Sequence, residues 1–255
     1  MEWLNRNPTA TLRVCCLAGA GASISESLRW AELLPASIEL CGIELPGRGK
    51  RWHQPPIRDF QRLIDLLILD LIPHLDMPLV LAGHSMGSLL CFEIARHLRR
   101  EGLRQPKQLF LSAYRAPQLS SEQIEISKLS DKEFLERLHA LEGAPEEFRG
   151  NAKVMEWVMP MLRADAAVLD SYRYRHEAPL DCPITIFGGA LDPEVGIHQL
   201  EPWRHQTTQK FSLRIFEGGH YFMRSHEREF LDELAEMLKT IMGHLEHVEA
   251  LRAPV

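Results

Sequence analysis

Three residues in this chain have the types and settings that acyl-transfer chemistry requires. Ser85 lies in Gly83-His84-Ser85-Met86-Gly87, between the apolar run Leu79-Val-Leu-Ala82 and a helix-favouring stretch that continues to Arg100. The pattern reads as strand, tight turn and helix with a serine at the apex, a nucleophile elbow, in which two glycines keep side-chain volume away from the bend. His220 follows the apolar run Phe211-Ser-Leu-Arg-Ile-Phe216, in Gly218-Gly-His-Tyr-Phe222, and Asp192 follows Cys182-Pro-Ile-Thr-Ile-Phe187, in Gly188-Gly-Ala-Leu-Asp-Pro193. A serine hydroxyl is a weak nucleophile near neutral pH, so an imidazole must take its proton during attack and return it to the leaving group. A carboxylate then holds the imidazole in the useful tautomer. Glu194 stands in reserve for Asp192, and His84 reads as packing for the elbow. The helix that starts behind Ser85 directs the Met86 N–H and the positive end of its dipole at a developing oxyanion.

The elements that must position these residues alternate. A strand over Leu12–Leu17 ends in the small-residue loop Ala18-Gly-Ala-Gly-Ala22, followed by a helix over Glu26–Leu34. The next strand, Ser37–Ile43, leads into Glu44-Leu-Pro-Gly-Arg-Gly-Lys-Arg-Trp52. Phe60, Leu63, Ile64, Leu67, Ile68 and Leu71 recur at helical spacing and predict a helix over Ile57–Pro73. Gln108–Ser112 is a further buried strand, closed by Ala113-Tyr-Arg-Ala-Pro117. From Gln118 to Pro179 the pattern turns helical, with one helix over Asp131–Leu141 and one or two over Ala152–Tyr174, broken or kinked near Pro160. A closing helix over Glu227–Met242 precedes a tail, His244–Val255, expected to fray. The alternation predicts an α/β chain with a mostly parallel central sheet flanked by helices. Residues 1–117 and 180–255 would form the core and 118–179 a helical lid on its carboxyl edge. Within that lid Met155, Trp157, Val158, Met159, Leu162 and Leu169 read as ordinary packing, with some facing the cleft.

Serine, acid and histidine occur in the order Ser85, Asp192, His220, the order found in α/β-hydrolases, and each follows a predicted strand. In a parallel sheet those strand ends share one edge, so distant residues converge there. The Ala18–Ala20 loop supplies the second oxyanion N–H on this reading. An alternative takes Gly19-x-Gly21 as the start of a dinucleotide fingerprint, with Glu39 or Glu44 as the ribose acid, although Ile24 occupies its last small-residue position.

The chain has 255 residues, of which 45% are hydrophobic and 25% charged, enough for one large α/β domain. Its formal charge of −6 is not gathered into acidic or basic blocks, so neither nucleic acid nor an anionic membrane is an expected partner. Without a signal-like amino end or an apolar run of spanning length, a cytoplasmic protein is expected. Five cysteines in apolar stretches read as buried thiols, and no ligand spacing suggests a metal. His244 and His247, a helical turn apart, read as solvated.

Taken together, the motifs resemble those of type II thioesterases, the separate α/β-hydrolases that accompany nonribosomal peptide and polyketide synthases. The resemblance rests on the loop Leu17–Ser23, Leu45-Pro-Gly-Arg48, Gly83-His-Ser-Met-Gly87, Arg115-Ala-Pro117, Leu162-Arg-Ala-Asp165 with Tyr172, Asp192-Pro193 and Gly218-Gly-His-Tyr-Phe222. Where the family usually has Pro-His-Ala-Gly-Gly, this chain has Leu17-Ala-Gly-Ala-Gly21, making Gly19 the counterpart of the usual oxyanion residue. Tyr221 stands where phenylalanine is common. The resemblance implies hydrolysis of acyl thioesters on the phosphopantetheine arms of acyl or peptidyl carrier proteins, in antibiotic or siderophore biosynthesis, through an acyl-Ser85 intermediate and without a cofactor of its own. It implies a mobile or partly open lid, and a monomer is expected. Because a carrier is acidic, docking is expected to use a local cationic rim of Arg48, Lys50, Arg51, Arg115 and Arg163. The elbow alone would also suit a general esterase or lipase, and a hydrolase scaffold can serve as a non-catalytic binding protein.

Overall fold

In the computed structural model, which describes residues 1–119, 125–140 and 152–252, seven strands form one sheet. They are β1 (Glu2–Asn5), β2 (Leu12–Leu17), β3 (Ile38–Gly42), β4 (Leu79–His84), β5 (Gln108–Ser112), β6 (Ile184–Gly189) and β7 (Phe211–Phe216), in the order β1-β3-β2-β4-β5-β6-β7. β1 runs antiparallel to β3, and every other pair is parallel. Helices flank the sheet on both faces, as the sequence predicts: α1 (Trp30–Leu33), α2 (Phe60–Leu71), α3 (Met86–Arg100), α4 (Asp131–Ala140), α5 (Ala152–Ser171), α6 (Ile197–Leu200), α7 (Phe222–Ser225) and α8 (Glu227–Arg252).

Successive strand residues point to opposite faces, and the buried strands therefore feed two cores. On one side Cys15, Leu17, Leu81, Leu109 and Leu111 pack with Leu67 of α2 and Leu90 and Ile94 of α3. On the other Val14, Cys16, Val80, Ala82 and Phe110 pack with Phe230, Leu234 and Leu238 of α8. All five cysteines are buried and unpaired. Burial pushes the Cys182 thiol up to about 12, a value at which no thiolate forms near neutral pH.

Several local expectations change. Residues 2–5 form an edge strand that the sequence reading did not foresee. The helix expected over Glu26–Leu34 is a 3₁₀ turn, Ile24–Ser27, followed by the single turn of α1, which ends at Leu33, with Leu34 already extended before Pro35. α5 runs through Pro160 without a break, with the proline on an exposed face of the helix. Leu141, the expected end of the preceding helix, lies outside the described residues. α8 continues to Arg252 instead of fraying after Met242, with Met242 and Leu245 still packed on the second core. No described helix is long and apolar enough to cross a membrane.

Candidate active site

The register carries the strand ends to a common edge. Leu17 pairs with Gly83, His84 with Ser112, Ser112 with Phe187 and Gly189 with Phe216. The loops that follow, bearing Gly19, Ser85, Ala113, Asp192 and His220, therefore leave the sheet side by side.

The turn at Ser85 is sharp. Ser85 has φ 50° and ψ −120°, in the region that side chains ordinarily avoid. The surrounding backbone fixes it there. Ser85 N–H donates to Ser112 O at 2.7 Å. Ser88 Oγ lies 2.8 Å from both the Gly83 and Ser112 carbonyl oxygens and accepts from Ser112 N–H at 2.9 Å. The glycines are required by space: a Cβ at Gly83 would stand 2.4 Å from Gly87 carbonyl atoms, and one at Gly87 would stand 2.1 Å from Leu17 O. The bend thus brings α3 onto the end of β2, and Met86 N–H heads that helix without an intrahelical acceptor. A Cβ at Gly19 would lie 3.4 Å from Ser85 Cβ, so the small-residue loop runs directly alongside the serine.

Asp192 and His220 are bonded. His220 Nδ1 donates to Asp192 Oδ2 at 2.8 Å, with both side chains nearly inaccessible to solvent. The other carboxylate oxygen accepts from Glu194 N–H at 2.8 Å and Val195 N–H at 3.1 Å, so the carboxylate cannot swing away. Gly189 permits the close approach of the two loops, since a Cβ there would meet Gly219 O at 2.2 Å. Leu191 N–H donates to Gly218 O at 2.8 Å, cross-linking the acid loop to the histidine loop. Glu194, the reserve acid, is turned away and paired with Arg137 of α4 at 2.6 Å. Ser85 is half-buried, and its hydroxyl has no hydrogen-bond partner among the described residues. Hydroxyl–imidazole bonds of this kind commonly tighten only when substrate is bound.

His84 packs the elbow, and it does more than fill space. Its ring stands 5.2 Å from that of His220 and 5.0 Å from that of Tyr221. Ser112 Oγ donates to Gly83 O at 3.0 Å, so it accepts from His84 Nδ1 at 3.1 Å and assigns the proton of a neutral His84 to that nitrogen. Burial, reinforced by His220 and Arg224, holds His84 well below the usual imidazole range. The unfolded chain therefore takes up a proton here as pH falls through about 6.5 while the folded chain does not. The stability this group contributes is complete above that pH and is lost as pH falls toward the depressed folded value. Between about pH 7.5 and about pH 5.5 the melting temperature of the native protein should fall further than that of His84→Gln. Equal falls would contradict this assignment.

Two features were legible only in coordinates. The Ser88–Ser112 clamp joins residues whose sequence setting gives no sign of it. Arg48 and Arg163, expected on an exposed cationic rim, are drawn inward by carboxylates. Arg48 pairs with Asp165 at 2.5 Å with side chains 5% and 4% exposed, and Arg163 pairs with Asp131 at 2.5 Å with its own side chain 13% exposed. Arg51 is likewise paired with Asp70 at 2.5 Å. Lys50 remains exposed, 3.0 Å from Glu2.

With this geometry the chain can be set beside known proteins. Residues 12–242 match the model of the thioesterase domain family. The gramicidin S biosynthesis protein GrsT of Aneurinibacillus migulanus is 35% identical over 239 residues, covering 94% of this chain and 93% of its own. Among solved structures, the RedJ thioesterase of the prodiginine biosynthetic pathway in Streptomyces coelicolor superposes with a TM-score of 0.83 at 35% identity, covering 89% of this chain and 90% of that one. YbtT, a type II thioesterase from the yersiniabactin NRPS/PKS biosynthetic pathway, gives a TM-score of 0.81 at 31% identity, covering 94% and 98%. A parallel sheet with a serine elbow on its carboxyl edge and a family match across nearly its whole length place this chain in the thioesterase family of α/β-hydrolases, enzymes that act on thioester bonds.

Proposed function

We propose that the protein is an editing, type II thioesterase that hydrolyses acyl groups from the phosphopantetheine arms of carrier proteins in nonribosomal peptide or polyketide synthesis. The observation that carries the mechanism is the 2.8 Å Asp192–His220 bond on the same sheet edge as the strained Ser85. The pathways named for GrsT, RedJ and YbtT support the substrate class. His220 Nε2 accepts the Ser85 proton as Oγ attacks the thioester carbonyl, and Asp192 steadies the imidazolium. The N–H groups of Met86 and of the Ala18–Ala20 loop, in which Gly19 runs alongside Ser85, stabilise the oxyanion, each donor contributing about 3 kcal/mol. Collapse of the tetrahedral intermediate breaks the C–S bond, and the thiol leaves with the proton from His220. Water, deprotonated by the same imidazole, then releases the acid from acyl-Ser85. No step requires a cofactor, and the reaction is assigned to the cytoplasm, where carrier proteins are loaded. Within 118–179, the described helices α4 and α5 are taken as the cover over the acyl group.

The substrate class is tested by comparing kcat/KM for one short acyl group on a carrier protein, on free pantetheine and on a simple alcohol. The carrier thioester should be preferred by at least about tenfold, a difference of roughly 1.4 kcal/mol. Equal rates on the oxoester would identify a general esterase instead.

A further inference from the structure

The catalytic reading leaves unused a deeply buried arginine–carboxylate pair beside the site, Arg48–Asp165. Asp165 of α5 accepts from Arg48 Nη2 through Oδ1 at 2.5 Å and from Gly21 N–H through Oδ2 at 2.8 Å. Arg48 Nη1 in turn donates to Ala22 O at 3.1 Å. Two side chains from distant parts of the sequence thus grip consecutive residues of one loop, Gly21 by its N–H and Ala22 by its C=O. That loop is the one beside Ser85. Ala22 N–H closes onto Gly19 O at 3.1 Å, so the held segment and Gly19 belong to a single turn. Gly21 itself has φ +75°, and Leu162, one helical turn before Asp165, lies over it, with Cδ2 2.5 Å from where a Cβ would stand. The loop is consequently clamped between the helical segment and the sheet.

A buried ion pair is a poor source of net stability, because desolvation of both charges offsets most of their attraction, and an apolar pair of equal volume would often serve as well. What the pair supplies here is direction: a planar guanidinium and a carboxylate, each making two fixed contacts, define where the loop backbone lies. We propose that Arg48 and Asp165 are a positioning pair that holds the oxyanion loop in register with Ser85 and ties it to α5. The inference rests on the assignment of that loop as an oxyanion donor. Neither side chain touches the reacting atoms; both act through Gly21 and Ala22.

Asp165→Asn keeps the shape but turns an amide N–H toward either the guanidinium or Gly21 N–H, and one of the two contacts is lost. Its kcat should fall about 10- to 100-fold with KM within about twofold, the size expected for a donor misplaced by a fraction of an ångström to an ångström. Affinity for a trifluoromethyl ketone analogue, which forms a tetrahedral adduct with Ser85, should weaken by the same factor. Affinity for the matching thioether, which lacks the carbonyl, should not change. Arg13→Ala is the control: it breaks the buried Arg13–Glu39 pair at the amino end of β2 and should lower stability with kcat per folded molecule unchanged. If Asp165→Asn does not fold, Arg48→Lys, which keeps the charge and loses the fork, should show the same parallel fall in kcat and ketone affinity. A folded Asp165→Asn enzyme with native kcat, or thioether affinity falling in step with kcat, would overturn the positioning role. Full turnover by Ser85→Ala would instead remove the catalytic reading on which it rests.

Discussion

Ser85→Ala should reduce release of acyl groups from a carrier protein by at least about 10⁴-fold, leaving only the modest rate that oxyanion donors and binding supply without a nucleophile. The loss would be chemical, with the fold preserved. Alanine at position 85 must adopt φ near 50°, but this protein already holds Ala113 at φ 52° on the neighbouring strand end. The Ser85 N–H bond to Ser112 O and the Ser88 clamp involve no atom that the substitution removes. Stability should therefore change by no more than about 1 kcal/mol. Circular dichroism and thermal melting establish the fold, and single-turnover release establishes the rate. Activity above about 1% of native, in a folded variant, would exclude Ser85 as the nucleophile.

Asp192→Asn should cost nearly as much, about 10⁴-fold in kcat, by a different route. The asparagine carbonyl can replace the oxygen that accepts from Glu194 and Val195 N–H, which leaves its amide facing His220 Nδ1. Two donors cannot face each other, so Nδ1 gives up its proton and Nε2 gains one. The imidazole then presents an N–H to Ser85 where it needs a lone pair. Glu194→Gln is the companion variant. Glu194 is bonded to Arg137 and not to His220, so its kcat should remain within a few-fold of native. The opposite ranking of these two variants would assign the acid to Glu194.

Much of this arrangement was legible in the sequence because strand ends in a parallel sheet share an edge. Once Leu79–Ala82, Cys182–Phe187 and Phe211–Phe216 are read as strands, the positions of Ser85, Asp192 and His220 follow from topology. The preference for Asp192 with Glu194 in reserve rested on less, since both lie in one short turn and only its backbone decides which carboxylate faces the imidazole. β1 was missed for another reason: four residues give too little alternation to read, and the strand exists only because it pairs with β3. Arg48, Arg51 and Arg163 of the expected cationic rim turn out to be engaged by carboxylates, because sequence displays charges without their partners. Asp165 is 117 residues from Arg48, and nothing local announces that the pair is buried. The same long-range partnership is what makes Arg48 a candidate for positioning rather than docking.

The proposed mechanism rests on one serine, made reactive by one imidazole, carrying the acyl group. It is tested most directly by reacting the native protein with an alkyl fluorophosphonate and sequencing the labelled peptide by mass spectrometry. A single phosphonate should appear on Ser85, absent from Ser85→Ala and formed far more slowly in His220→Ala. Label on any other residue, or continued thioester hydrolysis by protein whose Ser85 is fully blocked, would contradict it.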